Sequence, residues 1–282
     1  MSIAPAEPRI ARRLSPDVVA VIAIGVLVLG AWVALVIEAI RLGGGTDAFV
    51  QALCRPSGAT SSDMSGIAWD VAVAALLWMV MSVAMMLPTA VPMVLGFVDL
   101  VARRGGSSPR AEAAPVALTA GYLSVWMLVS VAAAVLQVGA AQAASLLPLP
   151  PQAVTILAGA LVGAAGLYQF SELKMAFLGA CRHPLPALDR DFGLGFPTVL
   201  RLGIGQGVRC LGCCGPMMAI MLVAGAMNLA WMGIFAILMT VEKTTTGTLV
   251  PRAVGVLLLA AGAALAASGV GTGAIMAWIT RG

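Results

Sequence analysis

Charge is scarce in this 282-residue chain: only 10% of residues are Asp, Glu, Lys or Arg, against 61% hydrophobic ones. A soluble domain carries roughly 25% charged residues, so the chain has too little polar surface to coat a core in water. Histidine is rarer still, with His183 the single example. That speaks against a bis-histidine haem and a Cys₂His₂ zinc site. Carboxylates number 12 and are scattered, too thin for an oxygen-lined calcium or magnesium cage. No Walker A sequence is present, and no stretch is long and polar enough for a large cytoplasmic domain. The net charge of +4 sits in connecting segments and carries no nucleic-acid signature.

What is present is long unbroken apolar sequence, with a mean hydropathy of +1.02. In lipid, only helices and closed barrels satisfy their own backbone. Barrel strands alternate in runs of roughly 10 residues, and these runs neither alternate nor stop so soon. The pattern predicts an all-α, polytopic membrane bundle of about seven transmembrane helices in one domain. The expected segments are Val18–Ile40, Ile67–Leu100 with Pro88 and Pro92 inside it, Val116–Leu136, Gln152–Tyr168, Leu200–Gly225, Asn228–Val241 and Ala253–Trp278. Residues 1–16 form a tail, 41–66 an outer loop and 171–199 an inner loop. The stretch Ser171–Pro197 is expected to lie along the surface. The first apolar run is longer than a signal-peptide core of about 7–15 residues, and reads as a retained anchor.

The basic residues orient this threading. With the amino terminus inside, Arg9, Arg12, Arg13, Arg103, Arg104, Arg110, Lys174, Arg182, Arg190, Arg201, Lys243 and Arg252 all fall on the cytoplasmic side, and only Arg41, Arg55 and Arg281 outside. That bias of twelve to three predicts N-in, C-out and an odd number of spans in a bacterial inner membrane.

The most specific local motif is Cys210-Leu-Gly-Cys213-Cys214-Gly-Pro216. At about 100° per residue, Cys210, Cys213 and Cys214 share one helix face. Gln206, Met217 and Met221 fall on the same stripe. Counted from Arg201, Cys210 is roughly 13 Å along the helix, near mid-membrane. Pro216 lacks an amide donor and leaves the Gly212 carbonyl short of a partner. A second stripe, Met79, Met86 and Met93, repeats every seven residues on segment two, with Met86 at a depth similar to Cys210. Thiolates and thioethers are soft ligands that suit copper(I) above other ions. The expected metal ligands are therefore Cys210, Cys213, Cys214 and Met217, with Met86 and Met79 beside them. Small residues also let helices pack closely, and methionine also fills irregular space, so packing stands as the competing explanation.

Arg209 lies at membrane depth, where it either favours a thiolate at Cys210 or pairs with Asp70, Glu38 or another subunit. Glu242-Lys243 reads as an interfacial anchor. Cys181-Arg182-His183-Pro184 reads as an ordinary loop, with metal handover as the sharper option.

Three stretches together resemble a bacterial family described as predicted metal-binding integral membrane proteins of unknown function. They are Trp78-Met79-Val80-Met81 through Met85-Met86-Leu87-Pro88; Tyr168-Gln169, Leu173-Lys174 and Cys181-Arg182-His183-Pro184; and Gly207 through Cys214, Gly225 to Met232 and Glu242-Lys243. The resemblance implies a helical membrane fold and metal binding. The chain departs from the family pattern near Phe177, where a further cysteine can stand, and near Arg209, where an aromatic can.

Three functions follow as expectations. The first is binding of a soft ion, copper(I), for relay, loading or translocation, in partnership with the lipid bilayer and other membrane subunits or a metal chaperone. The second is a non-catalytic accessory subunit of a larger membrane complex. The third is a membrane thiol–disulfide oxidoreductase using Cys210 and Cys213, the one enzymatic option.

Overall fold

The computed structural model describes residues 16–41, 64–104, 109–146, 149–190, 195–224 and 229–279. Almost all of them are helical. The elements are α1 (Pro16–Arg41), α2 (Met64–Arg103), α3 (Pro109–Leu146), α4 (Pro151–Tyr168), α5 (Glu172–Arg182), α6 (Leu185–Arg190), α7 (Phe196–Ala224), α8 (Leu229–Thr244) and α9 (Leu249–Ile279). The amino-terminal tail and most of the expected outer loop, including Cys54, lie outside the described residues, as does the turn at Ala226-Met227.

Among the described residues, five helices are long and apolar enough to cross a membrane: Asp17–Glu38, Met64–Arg103, Arg110–Leu146, Pro151–Tyr168 and Leu249–Val270. Two of the seven expected segments are not among them. Helix α7 is diluted by Gln206, Arg209, Pro216 and its glycines. Helix α8 has 16 residues, hence about 24 Å of rise against a hydrocarbon core of about 30 Å. The 40-residue α2 is helical throughout, Pro88 and Pro92 included. Its rise of about 60 Å is twice the same thickness.

Large apolar side chains cover the outside. Val18, Ile22, Val26, Leu29 and Val33 of α1, Leu128 and Leu136 of α3, and Val256 and Leu257 of α9 are all exposed. The buried core combines large apolar residues such as Phe97, Leu118, Trp126 and Leu178 with small residues, sulfur and a few polar groups. Met81, Met85, Met86, Met93, Met217, Met218, Met221, Met232 and Met239 are all buried.

Helix α2 packs between α1 and α3; α7 packs chiefly on α3 and α5; α9 packs along α4. Glycine sets these distances. A Cβ on Gly159 of α4 would stand 2.6 Å from the Gly262 carbonyl oxygen of α9, so the two backbones touch directly. On α3 and α7, a Cβ on Gly121 would overlap the Leu200 carbonyl and one on Gly203 the Leu118 carbonyl. One turn further, Gly207 faces the Tyr122 backbone. This seam draws α3 against the cysteine-bearing half of α7.

One expectation changes here. Ser171–Pro197 is not a surface strip. Its first part is α5, whose Lys174 and Leu178 are fully buried against α7.

Candidate metal centre

The three cysteines of α7 point inward and converge. Cys210, Cys213 and Cys214 are 2%, 1% and 1% exposed, and their sulfurs all lie within 4.8 Å of one another. Cys213 and Cys214 Sγ are 3.3 Å apart. Among the described residues this is the one cluster of ionisable ligand atoms with metal-site spacing. All three are free thiols.

Each break in α7 is met by a side chain from elsewhere. Pro216 cannot donate to the Gly212 carbonyl, and the Tyr168 hydroxyl donates to it instead, at 2.7 Å. Gly212 itself, lacking a Cβ, leaves a notch that the Phe177 ring of α5 fills. Lys174 Nζ donates to the Cys213 carbonyl and, at 2.8 Å, to Glu242 Oε2. Both members of this ion pair are 1% exposed at the side chain. Arg182 closes the same corner, donating to the Glu242 carbonyl at 2.9 Å and 2.7 Å and to the Gly247 carbonyl at 2.9 Å.

Polar groups also face the sulfurs. Tyr122 Oη is 3.0 Å from Cys210 Sγ and donates to the Met86 carbonyl at 3.1 Å. Lys243 Nζ donates to Cys210 Sγ at 3.1 Å and to Thr89 Oγ1 at 2.7 Å. The ammonium supplies the positive charge that a thiolate, or a negatively charged metal–thiolate centre, needs in a low-dielectric interior. Gln169 Nε2 donates to Met217 Sδ at 2.9 Å, while its own Oε1 is buried without a partner.

Of the expected ligands, Cys210, Cys213 and Cys214 come together. Met217 is buried one turn from Cys213 and Cys214. Met86 joins the site through its carbonyl, held by Tyr122 and by Thr89 Oγ1 at 2.8 Å. Met79 is half-buried, seven residues and about 10 Å along α2 from Met86.

Two readings of the sequence are corrected. Glu242-Lys243 is no interfacial anchor: Glu242 is buried in an ion pair, and Lys243, not the half-buried Arg209, reaches Cys210. Cys181 is no ordinary loop residue: it lies on α5, its Sγ 3.4 Å from Cys213 Sγ.

The donor set is a test of what this pocket fits. Metal–thiolate bonds are about 2.3 Å long, so sulfurs sharing one ion stand between about 3.8 Å (tetrahedral) and 4.6 Å (linear) apart. Three sulfurs within 4.8 Å need shifts of only some tenths of an ångström to meet that range. With no imidazole or carboxylate among the converging atoms, the set is soft, as copper(I) requires.

The model of a copper chaperone family, PpoB2, matches residues 75–265. The chain belongs to that family. The match runs from α2 into α9 and takes in every residue described at this centre, Cys181, Lys174 and Lys243 among them. No curated protein and no solved structure matches the chain. The copper chaperone assignment supports the sequence's metal-binding resemblance.

Several partners in the centre were missed by reading motifs alone, although a signal was present. The chain has two tyrosines and two lysines. Tyr122, Tyr168, Lys174 and Lys243 all touch α7 within one turn of a cluster cysteine or bond to the cluster itself. Residues this rare and this polar in so apolar a chain mark the place where the interior is costly to build.

Proposed function

We propose that the protein is a multi-pass membrane copper chaperone, which holds copper(I) as cargo at Cys210, Cys213 and Cys214 and passes it to a recipient. Met217, one turn along α7, is the proposed thioether ligand, with Met86 and Met79 of α2 as secondary ones. The observation that carries this reading is the convergence of three buried free thiols within 4.8 Å, in a chain of a copper chaperone family. A copper(I) ion bound by two thiolates carries one net negative charge, and Lys243 beside Cys210 balances it. The exposed apolar surface of α1, α3 and α9 suits a hydrocarbon solvent. The basic residues favour a bacterial cytoplasmic membrane with the amino terminus inside. The third sequence expectation, dithiol–disulfide chemistry, loses ground to this geometry. A redox pair works by exposing one attacking sulfur, whereas Cys210 and Cys213 are both sealed from solvent.

The accessory-subunit reading merges with this one if the recipient is a membrane metalloenzyme that the protein loads. Metal content of anaerobically purified protein, measured by mass spectrometry, tests the proposal. One copper per chain is expected, lost in a Cys210→Ser/Cys213→Ser/Cys214→Ser variant. Copper-free protein after exposure to copper(I) would leave only a structural subunit.

A further inference from the structure

We propose that Cys181 is the exchange ligand through which copper(I) enters and leaves the buried cluster, with Cys213 as the pivot that stays bound throughout. This rests on the copper(I) reading above and adds the route and the chemistry of the partner. Cys213 Sγ stands between two sulfurs at nearly equal range, Cys214 at 3.3 Å and Cys181 at 3.4 Å. Those two differ in access. Cys214 is 1% exposed, while Cys181 is half-buried and is followed two residues later by exposed His183. Three sealed sulfurs thus adjoin one half-buried sulfur, with Cys213 as the link between them.

The position of Cys181 is fixed. Ser171 caps α5 by accepting from the Lys174 amide at 3.1 Å. The Lys174–Glu242 pair, the Arg182 hydrogen bonds and the Phe177 ring in the Gly212 notch then hold the helix against α7. Cys181 lies one turn after Phe177 on the same face, which sets its sulfur over Cys213.

A site whose every ligand is buried releases a soft ion slowly, because each bond must break before a replacement is within reach. A half-buried fourth thiol in contact with Cys213 lowers that barrier. In the exchange, a copper(I)–sulfur bond to Cys181 forms as the bond to Cys214 breaks. The Cys181 thiol gives up its proton, and the departing Cys214 thiolate takes one up. Copper remains in the +1 state, and no oxidant or reductant is consumed. A carrier presenting thiols at the surface beside Cys181 then replaces Cys210, Cys181 and finally Cys213 on the ion, each incoming thiol giving up a proton as the departing thiolate takes one up. By the charge bias that surface faces the cytoplasm.

The test compares wild type, Cys181→Ser and Cys181→Met, each loaded with copper(I) in detergent under anaerobic conditions. Release is followed optically on mixing with a sulfonated bathocuproine chelator, and separately with excess glutathione. All three proteins are expected to bind one copper with affinities within about threefold, since Cys181 is not a resident ligand. Release from Cys181→Ser is expected to slow by about tenfold or more, and Cys181→Met, which keeps a soft donor, to recover most of the rate. Equal release rates in wild type and Cys181→Ser would overturn the proposal. So would loss of bound copper in Cys181→Ser, which would make Cys181 a permanent ligand. Absence of copper from the wild type would instead defeat the copper reading itself, and the exchange route with it.

Discussion

Lys243 offers the sharpest energetic test of the centre. Its ammonium nitrogen lies 3.1 Å from Cys210 Sγ, and the reading of a copper–thiolate site gives that contact a definite job. At an effective dielectric of about 20, a full negative charge at that distance would attract it by about 5 kcal/mol. Desolvation of both groups cancels much of this, and hydrogen bonds to charged groups contribute about 1.5–3 kcal/mol net. Lys243→Met keeps the length and apolar stem and removes the charge. Its copper(I) affinity should fall about 10- to 150-fold, at 1.4 kcal/mol per tenfold. Lys243→Arg, which keeps the charge, should lose much less. Anaerobic competition against a chromophoric copper(I) chelator measures all three affinities. The decisive control is a cycle with Cys210→Ser, because the charge acts on that sulfur. In the Cys210→Ser background the Lys243→Met penalty should shrink to within about twofold. An equal penalty in both backgrounds would refute the assignment of Lys243 to Cys210. No penalty in either would show that the centre carries no negative charge.

Further predictions concern the frame around the cluster. Lys174→Met strands Glu242 in a site where both side chains are 1% exposed, and should destabilise the protein by about 3–5 kcal/mol. Adding Glu242→Gln should restore part of the lost thermal stability in detergent, whereas additive losses would mean the two do not act as a pair. Gly203→Ala places a methyl against the Leu118 carbonyl and should cost about 1–3 kcal/mol while weakening copper binding, because it parts Tyr122 from Cys210. Gly205→Ala, with open space around it, should be neutral or stabilising by up to about 1 kcal/mol; matching losses in both would exclude the close α3–α7 seam as the cause.

The helical character of the chain was legible because backbone satisfaction in an apolar solvent admits so few solutions. The convergence of Cys210, Cys213 and Cys214 was legible for a local reason: spacings of three and four residues fix side chains to one helix face wherever the helix goes. Partners from distant segments were not, because nothing in local periodicity says that α5 turns back onto α7. Hence Cys181 looked like a loop thiol until α5 brought it to 3.4 Å from Cys213. Lys243 likewise looked like an anchor because a lysine at a helix end usually reaches for water. Here the end of α8 leans on α2, and its lysine reaches Thr89 and Cys210 instead. The Gly212 carbonyl shows both cases at once. Pro216 announced that it lacked a partner, but only the fold showed that Tyr168 supplies one.

Copper(I) seated among these sulfurs would be seen by X-ray absorption at the copper edge of anaerobically loaded protein. The expected result is a copper(I) edge and a first shell of two or three sulfurs at about 2.3 Å, the length of a metal–thiolate bond, with the shell lost in the triple serine variant. A first shell of nitrogen or oxygen, or an unchanged sulfur shell in that variant, would contradict it.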